Sequence, residues 1–329
     1  MTNGEMTSDA AEVADRKAGL VVFGILQICF GALCALLVPL MLLAMLGALA
    51  SRQGSAAPMN ARMMVPSLLF YAVLAVWFIW MGIGSIQARR WARALILVSS
   101  WLWLICGLLG IAFALVFLPG MYEQMGKSGQ VSPGLAAVMK YVALGFMAVF
   151  YVLIPGALVL FYGSKHVKAT CERRDPQERW TDKCPLPVLA VSLMSGGWAA
   201  SMLMMGCYGW AIPFFGAILS GSAGAGVVLA FMLLLGYVAW GMYRLNLKAW
   251  WCAVLMVIAW GVSLALTFSR VNLMEFYEKM NFPPEQLELV KSFAQTQTPG
   301  MVLFFVLWCV VALAYLLYTR RYFVQPEQA

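Results

Sequence analysis

Charge is scarce in this sequence. Only 11% of the 329 residues are Asp, Glu, Lys or Arg, while 63% are hydrophobic. A soluble domain carries roughly 25% charged residues. An apolar excess of this size cannot be hidden in one aqueous core, so lipid must cover part of it. Histidine is scarcer still, with His166 the single example. No Gly-rich phosphate loop, Gly-x-Ser-x-Gly elbow or His-Glu-x-x-His motif is present. Nor do the eight cysteines form the disulfide framework of a small secreted protein. Six of them (Cys29, Cys34, Cys106, Cys207, Cys252 and Cys309) fall in apolar runs, where a thiol behaves as a small hydrophobe.

What the chain has in abundance is long apolar runs. A bilayer core needs about 20 apolar residues as helix. Spans are expected near 20–48, 66–86, 94–117, 143–163, 187–210, 226–244, 249–268 and 300–319. The runs are continuous, whereas a membrane strand would alternate over roughly 10 residues. Residues 1–18 are polar, and the run after them is far longer than the apolar part of a signal peptide, about 7–15 residues. A retained first span is expected. Aromatic residues such as Trp91, Tyr162, Trp250, Trp251 and Tyr318 gather at span ends, where their amphipathic rings favour the headgroup level.

Proline punctuates three runs. Pro39 and Pro213 lie late in the first and fifth runs, where a kink or an interfacial ending is expected, and Pro155 predicts a kink in the fourth. Broken helices can also mark transport sites.

Basic residues divide unevenly between the two faces. Eight spans put both termini on one side. That side holds 15 Lys and Arg: Arg16 and Lys17, Arg89, Arg90 and Arg93, six in 164–185, Arg244 and Lys248, and Arg320 and Arg321. The other side holds seven: Arg52, Arg62, Lys127, Lys140, Arg270, Lys279 and Lys291. The positive-inside rule then predicts cytoplasmic termini. The net charge of +8 is accounted for by anionic headgroups at the cytoplasmic face; nucleic acid is not an expected partner.

Three local similarities recur at nearly one offset. Gly84-Ser85-Ile86 before Arg89-Arg90-Trp91-Ala92-Arg93 answers Gly241-Met242-Tyr243 before Lys248-Ala249-Trp250-Trp251. Met121-Tyr122-Glu123-Gln124-Met125 answers Phe276-Tyr277-Glu278-Lys279-Met280, and Leu160-Phe161-Tyr162 answers Leu316-Leu317-Tyr318. Leu135, Val138 and Tyr141 also echo Leu287, Val290 and Phe293, each triplet forming an apolar stripe after prolines. A short amphipathic helix outside the membrane is expected before the last span of each half. The expected architecture is an all-α polytopic transmembrane bundle of two tandem four-helix repeats. Its parts are a cytoplasmic tail 1–18, repeats over 19–163 and 186–323 joined by a cytoplasmic linker 164–185, and a tail 324–329. Because each half has an even number of spans, the copies would be parallel.

No Asp, Glu, Lys, Arg or His falls well inside an expected span. Intramembrane ionisable groups are costly and usually functional, so proton-coupled transport, ion pumping and voltage sensing are disfavoured. The interior Ser and Gly residues suit helix packing. The 22 Met suit apolar filling, or the lining of a cavity for a hydrophobic ligand.

The linker carries the most chemistry. Asp175-Pro176-Gln177-Glu178 predicts a helix start, with Asp as N-cap and Pro at the first helical position. His166, Cys171 and Cys184 match no short-spaced zinc pattern, and a reducing cytoplasm disfavours a Cys171–Cys184 disulfide. Arg89, Arg90 and Arg93 are expected to orient the chain and touch lipid phosphate. Glu275, Glu278, Glu285 and Glu288 have no His or Cys beside them and are expected to be solvated. No catalytic, metal or cofactor-binding residue emerges.

The turn Gln87-Ala88-Arg89-Arg90-Trp91-Ala92-Arg93 resembles one shared by many bacterial membrane proteins. Asp175-Pro176, Arg179-Trp180-Thr181-Asp182 and Cys184-Pro185-Leu186-Pro187 are similar to a loop in a group of multi-span proteins with no assigned activity. The resemblance covers most of the chain, implies a bacterial inner membrane, and transfers no residue role. Two functions are then expected in order. The first is a non-enzymatic scaffold or envelope-assembly subunit, with a membrane-protein partner or a second copy of the chain. The alternative is a transporter or lipid-handling protein for an apolar or amphipathic solute.

Overall fold

The computed structural model describes residues 14–50, 61–127, 131–280 and 284–323. Residues 1–13 and 324–329, which hold most of one expected tail and all of the other, lie outside that range, as does Arg52. So do the side chains of Arg62, Glu285, Glu288 and Lys291. Among the described residues, eight helices are long and apolar enough to cross a membrane: Lys17–Gly47, Met64–Ile86, Arg90–Val116, Pro133–Gly163, Leu186–Tyr208, Gly221–Tyr243, Leu247–Arg270 and Leu303–Tyr322. Each coincides with an expected span, and the chain is an all-α multi-pass helical bundle. Eight crossings bring Lys17 and Thr319 to one face, called here the termini face.

The first four spans are α1 (Lys17–Ala50), α2 (Ala61–Ile86), α3 (Arg90–Lys127) and a fourth made of α4 (Pro133–Ala148), a π-helical turn (Val149–Leu153) and α5 (Ile154–Gly163). The linker forms α6 (Lys165–Arg174). The second set is α7 (Leu186–Ser201), α8 (Gly221–Tyr243), α9 (Leu247–Arg270) and α11 (Pro284–Thr319), with α10 (Leu273–Lys279) preceding the last.

The three prolines behave differently. Pro39 sits inside α1 without interrupting it. Pro155 distorts the turn before it. It has no N–H for the Tyr151 carbonyl, and the backbone widens so that Ile154 N–H bonds the Val149 carbonyl five residues back. Gly107 of α3 packs at this spot; a Cβ there would lie 2.4 Å from the Tyr151 oxygen. Pro213 is not in a helix. The fifth span tightens into a 3-10 segment (Met202–Tyr208), and the chain turns back as a hairpin of β1 (Ile212–Phe214) and β2 (Ala217–Leu219), with Pro213 opposite Ile218.

That hairpin was not expected, and α9 explains how it persists. Buried backbone groups that lack ladder partners must be satisfied by other protein groups. Phe215 N–H donates to Ser263 Oγ at 3.0 Å, and Ser263 Oγ donates to the Pro213 carbonyl at 3.1 Å. Gly216 N–H donates to Thr267 Oγ1 at 3.0 Å, and Lys279 Nζ donates to the Ile218 carbonyl at 3.0 Å. Gly216 has φ +96° and faces Arg270, a geometry that glycine suits.

The separate outer helices expected before the fourth and eighth spans are not separate. Pro133 does open a helix, capped by Ser132 Oγ, which accepts from Leu135 N–H at 3.3 Å. The helix then continues into the span, and α11 likewise runs unbroken from Pro284. At 1.5 Å per residue α11 is about 54 Å long, well beyond a 30 Å hydrocarbon core. The apolar stripes are therefore the overhanging turns of long helices.

The linker also departs from expectation. Asp175 ends a helix and does not begin one; it is the C-cap of α6, whose N-cap is Ser164. Its carboxylate is drawn to arginines instead of to the amides after Pro176.

One glycine-lined crossing joins α1 and α2 in the first half. A Cβ at Gly24 of α1 would lie 2.8 Å from the Gly82 carbonyl of α2, and one at Gly82 would lie 2.6 Å from the Gly24 carbonyl. Small residues let the backbones approach. In the second half, Ser192 Oγ of α7 donates to the Ala239 carbonyl of α8 at 2.7 Å.

Candidate functional site

A cavity of about 640 Å³ lies between the two halves. Val98, Trp101, Leu102 and Ile105 of α3 form one wall; α7, α8, α9 and α11 form the others. Along α7 the lining runs from Leu186 to Trp198, about 18 Å at 1.5 Å per residue. It therefore occupies the half of the membrane nearer the termini face. Val98, Ala190, Val191, Val238 and Leu316 on its walls are buried, whereas Trp101, Trp198 and Tyr318 are 48%, 56% and 48% exposed. The cavity thus opens towards the surrounding lipid.

Its lining is almost wholly apolar. Ser195, the tyrosines and the indole N–H groups of Trp101, Trp198 and Trp308 are its polar side-chain groups, and Tyr315 OH already donates to the Pro187 carbonyl at 3.0 Å. Ligand pockets commonly measure 300–1,000 Å³. A water molecule takes about 30 Å³ and needs two to four polar partners, so this lining disfavours water.

At the termini face the basic turn meets the linker. Asp175, 2% exposed, accepts from Arg179 Nη2 at 2.6 Å and Nε at 3.1 Å, and from the Arg90 backbone N–H at 3.3 Å. Arg89 Nη1 stands 3.7 Å away. Arg90 pairs with Asp182 at 3.3 Å and with Glu172 at 3.8 Å, and Arg93 Nε donates to the Tyr162 carbonyl at 3.0 Å. The Arg179 hydrogen bond, then the Arg90 amide and the charge of Arg89, hold the Asp175 carboxyl below the usual range against the opposing effect of burial. Arg89 and Arg90 are engaged by the linker's carboxylates. Arg174 likewise holds Asp15 at 2.9 Å and lowers its pKa.

Burial raises the thiols of Cys171 and Cys184 to about 11, which disfavours thiolate chemistry there. His166 Nδ1 is buried without a partner. Among the described residues, no three His, Cys, Asp or Glu side chains gather to hold a metal ion.

One polar cluster at the termini ends of the first, second and fourth spans has no counterpart in the sequence expectations. Ser85 Oγ donates to the Leu20 carbonyl at 2.8 Å and shares a 2.6 Å hydrogen bond with Tyr162 OH. Gln27, 7% exposed, has no partner for Oε1. A lone amide in the first apolar run was the available signal. Comparison with known protein families, curated proteins and solved structures returned no match.

Proposed function

We propose that this chain is a non-enzymatic protein of a bacterial inner membrane, with both termini in the cytoplasm, that holds an apolar or amphipathic ligand between two parallel four-helix repeats. The inter-half cavity carries this reading. Lipid-handling was the second of the two functions expected from sequence, and an apolar chamber open to lipid favours it over a scaffold. The 15 to 7 division of basic residues supports the orientation.

The repeat reading gains support from the turns at the termini face. Ala88 N–H bonds the Ser85 carbonyl and Arg89 N–H that of Gly84; Leu245 N–H bonds the Met242 carbonyl and Asn246 N–H that of Gly241. Ala88 and Leu245 have φ of 53° and 54°. A Cβ at Gly84 would meet Ala92 Cβ at 2.5 Å, and one at Gly241 would meet Ala249 Cβ at 2.3 Å. Every pair is 157 positions apart.

A spin-labelled fatty acid tests the ligand reading. The reconstituted chain is expected to show an immobilised component beyond the lipid shell, and Ala190→Trp and Ala312→Trp, which fill the cavity, each reduce it. An immobilised component unchanged by both variants overturns the reading. For orientation, a reporter active only in the cytoplasm should work when fused after Ala329; activity only from an exported reporter refutes it.

A further inference from the structure

At the termini face the cavity wall continues into an aromatic ladder. Tyr315 and Tyr318 both line the cavity and stack with centroids 6.2 Å apart, and Tyr318 meets Tyr322 edge-on at 6.5 Å. The ladder ends on cations. Arg321 lies over the Tyr318 ring at 4.0 Å and donates to the hydroxyls of Tyr318 and Tyr322, the latter at 2.8 Å. Arg320 reaches over Trp250 and Trp251 at 5.7 and 5.9 Å. Among the described residues neither arginine has a carboxylate partner, in contrast to Arg89, Arg90, Arg174 and Arg179.

Both guanidiniums are exposed. Rings and hydroxyls fix Arg321, but neither neutralises it. An apolar chamber of about 640 Å³ therefore has, at Tyr318 on its termini side, a neighbouring positive charge. A neutral acylglycerol uses only the chamber; an anionic phospholipid uses both.

We infer that the cavity takes one acyl chain of an anionic phospholipid, whose phosphate is held at the mouth by Arg320 and Arg321. This rests on the cavity being a lipid site. Arginine is suited to the task, because its planar fork of donors matches phosphate oxygens.

Native mass spectrometry of the full chain, given an equimolar mixture of phosphatidylglycerol and phosphatidylcholine with identical acyl chains, tests it. The wild type is expected to retain one lipid, with phosphatidylglycerol favoured about tenfold, as two basic residues near a headgroup permit. The Arg320→Gln/Arg321→Gln variant should still retain one lipid but lose the preference. Equal retention of the two lipids by the wild type, or a preference that survives in the double variant, overturns the headgroup assignment while leaving the cavity reading intact. Lipid retention that persists in both Ala190→Trp and Ala312→Trp overturns the cavity reading itself. Unchanged helical circular dichroism checks that each variant folds.

Discussion

The turn at 87–89 and the turn at 244–246 share one backbone and put it to different uses. Both place a non-glycine residue at positive φ, and both bury a glycine against an alanine of the next helix. After the first turn come Arg89, Arg90 and Arg93, which enter an ionic cluster with the linker. After the second come Asn246, whose side chain accepts from Lys248 N–H, and Trp250, 1% exposed, whose indole donates to the Leu316 carbonyl. Close packing and backbone hydrogen bonds set the turn, and side-chain chemistry varies around it. In one half it makes a charged latch on the linker. In the other it makes an aromatic wall behind the cavity.

The sharpest way to break this contrast is to remove the charge from each side. Asp175→Ala strips a buried carboxylate from two arginines and a backbone amide. It should cost about 3 kcal/mol, the low end for breaking a buried pair because the arginines are partly exposed. Lys248→Ala at the second turn should stay within about 0.5 kcal/mol. Thermal unfolding in detergent measures both, and equal losses would dissolve the distinction. The acid limb gives a second measure. Asp175 titrates below its unfolded value of about 3.9. Its contribution is therefore complete above that value and is lost as pH falls through the folded pKa. Asp175→Asn should flatten the stability curve below about pH 4 and leave its slope between pH 5 and 8 unchanged.

Helix packing sharpens the same comparison with a smaller effect. Gly82→Ala drives a Cβ to 2.6 Å from the Gly24 carbonyl, a backbone atom that cannot swing aside. Overpacking of this kind should cost about 1–3 kcal/mol. Gly196→Ala on α7 meets only Ala239 Cβ at 3.8 Å, an ordinary contact, and should change stability by less than about 1 kcal/mol. Unfolding midpoints of the two variants, compared under one detergent, check the pair. Equal losses would mean that α1–α2 and α7–α8 are packed alike.

The spans were legible because lipid imposes a length and a composition on every crossing. A helix start at Pro133 was legible from the proline, but its continuation into the span expected at 143–163 was not. The hairpin at Ile212–Leu219 was not. Its two strands have three residues each, too few to show alternation, and what holds them is Ser263 and Thr267, about fifty residues away. The helix expected after Asp175 failed because a capping pattern competes with tertiary charge, and Arg89, Arg90 and Arg179 win. The 22 Met admitted a cavity for a hydrophobic ligand, but its place left no trace in the sequence. It is a gap among five helices, and Val, Leu and Trp read the same whether they face lipid, a neighbour or a void.

The smallest test separates the two kinds of side-chain anchor. Arg93 Nε donates to the Tyr162 carbonyl and Trp250 Nε1 to the Leu316 carbonyl, at 3.0 and 2.9 Å. Each anchor ties the helix after the turn to the termini end of its half's last span. Only the first carries a charge, and charge-assisted bonds are about twice as strong as neutral ones. Arg93→Met should therefore cost about 2 kcal/mol. Trp250→Phe keeps most of the buried ring, and Thr319 Oγ1 still donates to the same carbonyl at 2.7 Å. Its loss should be about 1 kcal/mol. Salt distinguishes the mechanisms better than magnitude does. Arg93 sits at the surface end of α3 among Glu172 and Asp182, so raising ionic strength should shrink the Arg93→Met effect. The Trp250→Phe effect, from a neutral donor at a buried site, should not move. Equal salt dependence of the two unfolding differences would show that the charged latch and the aromatic wall hold their halves by the same means.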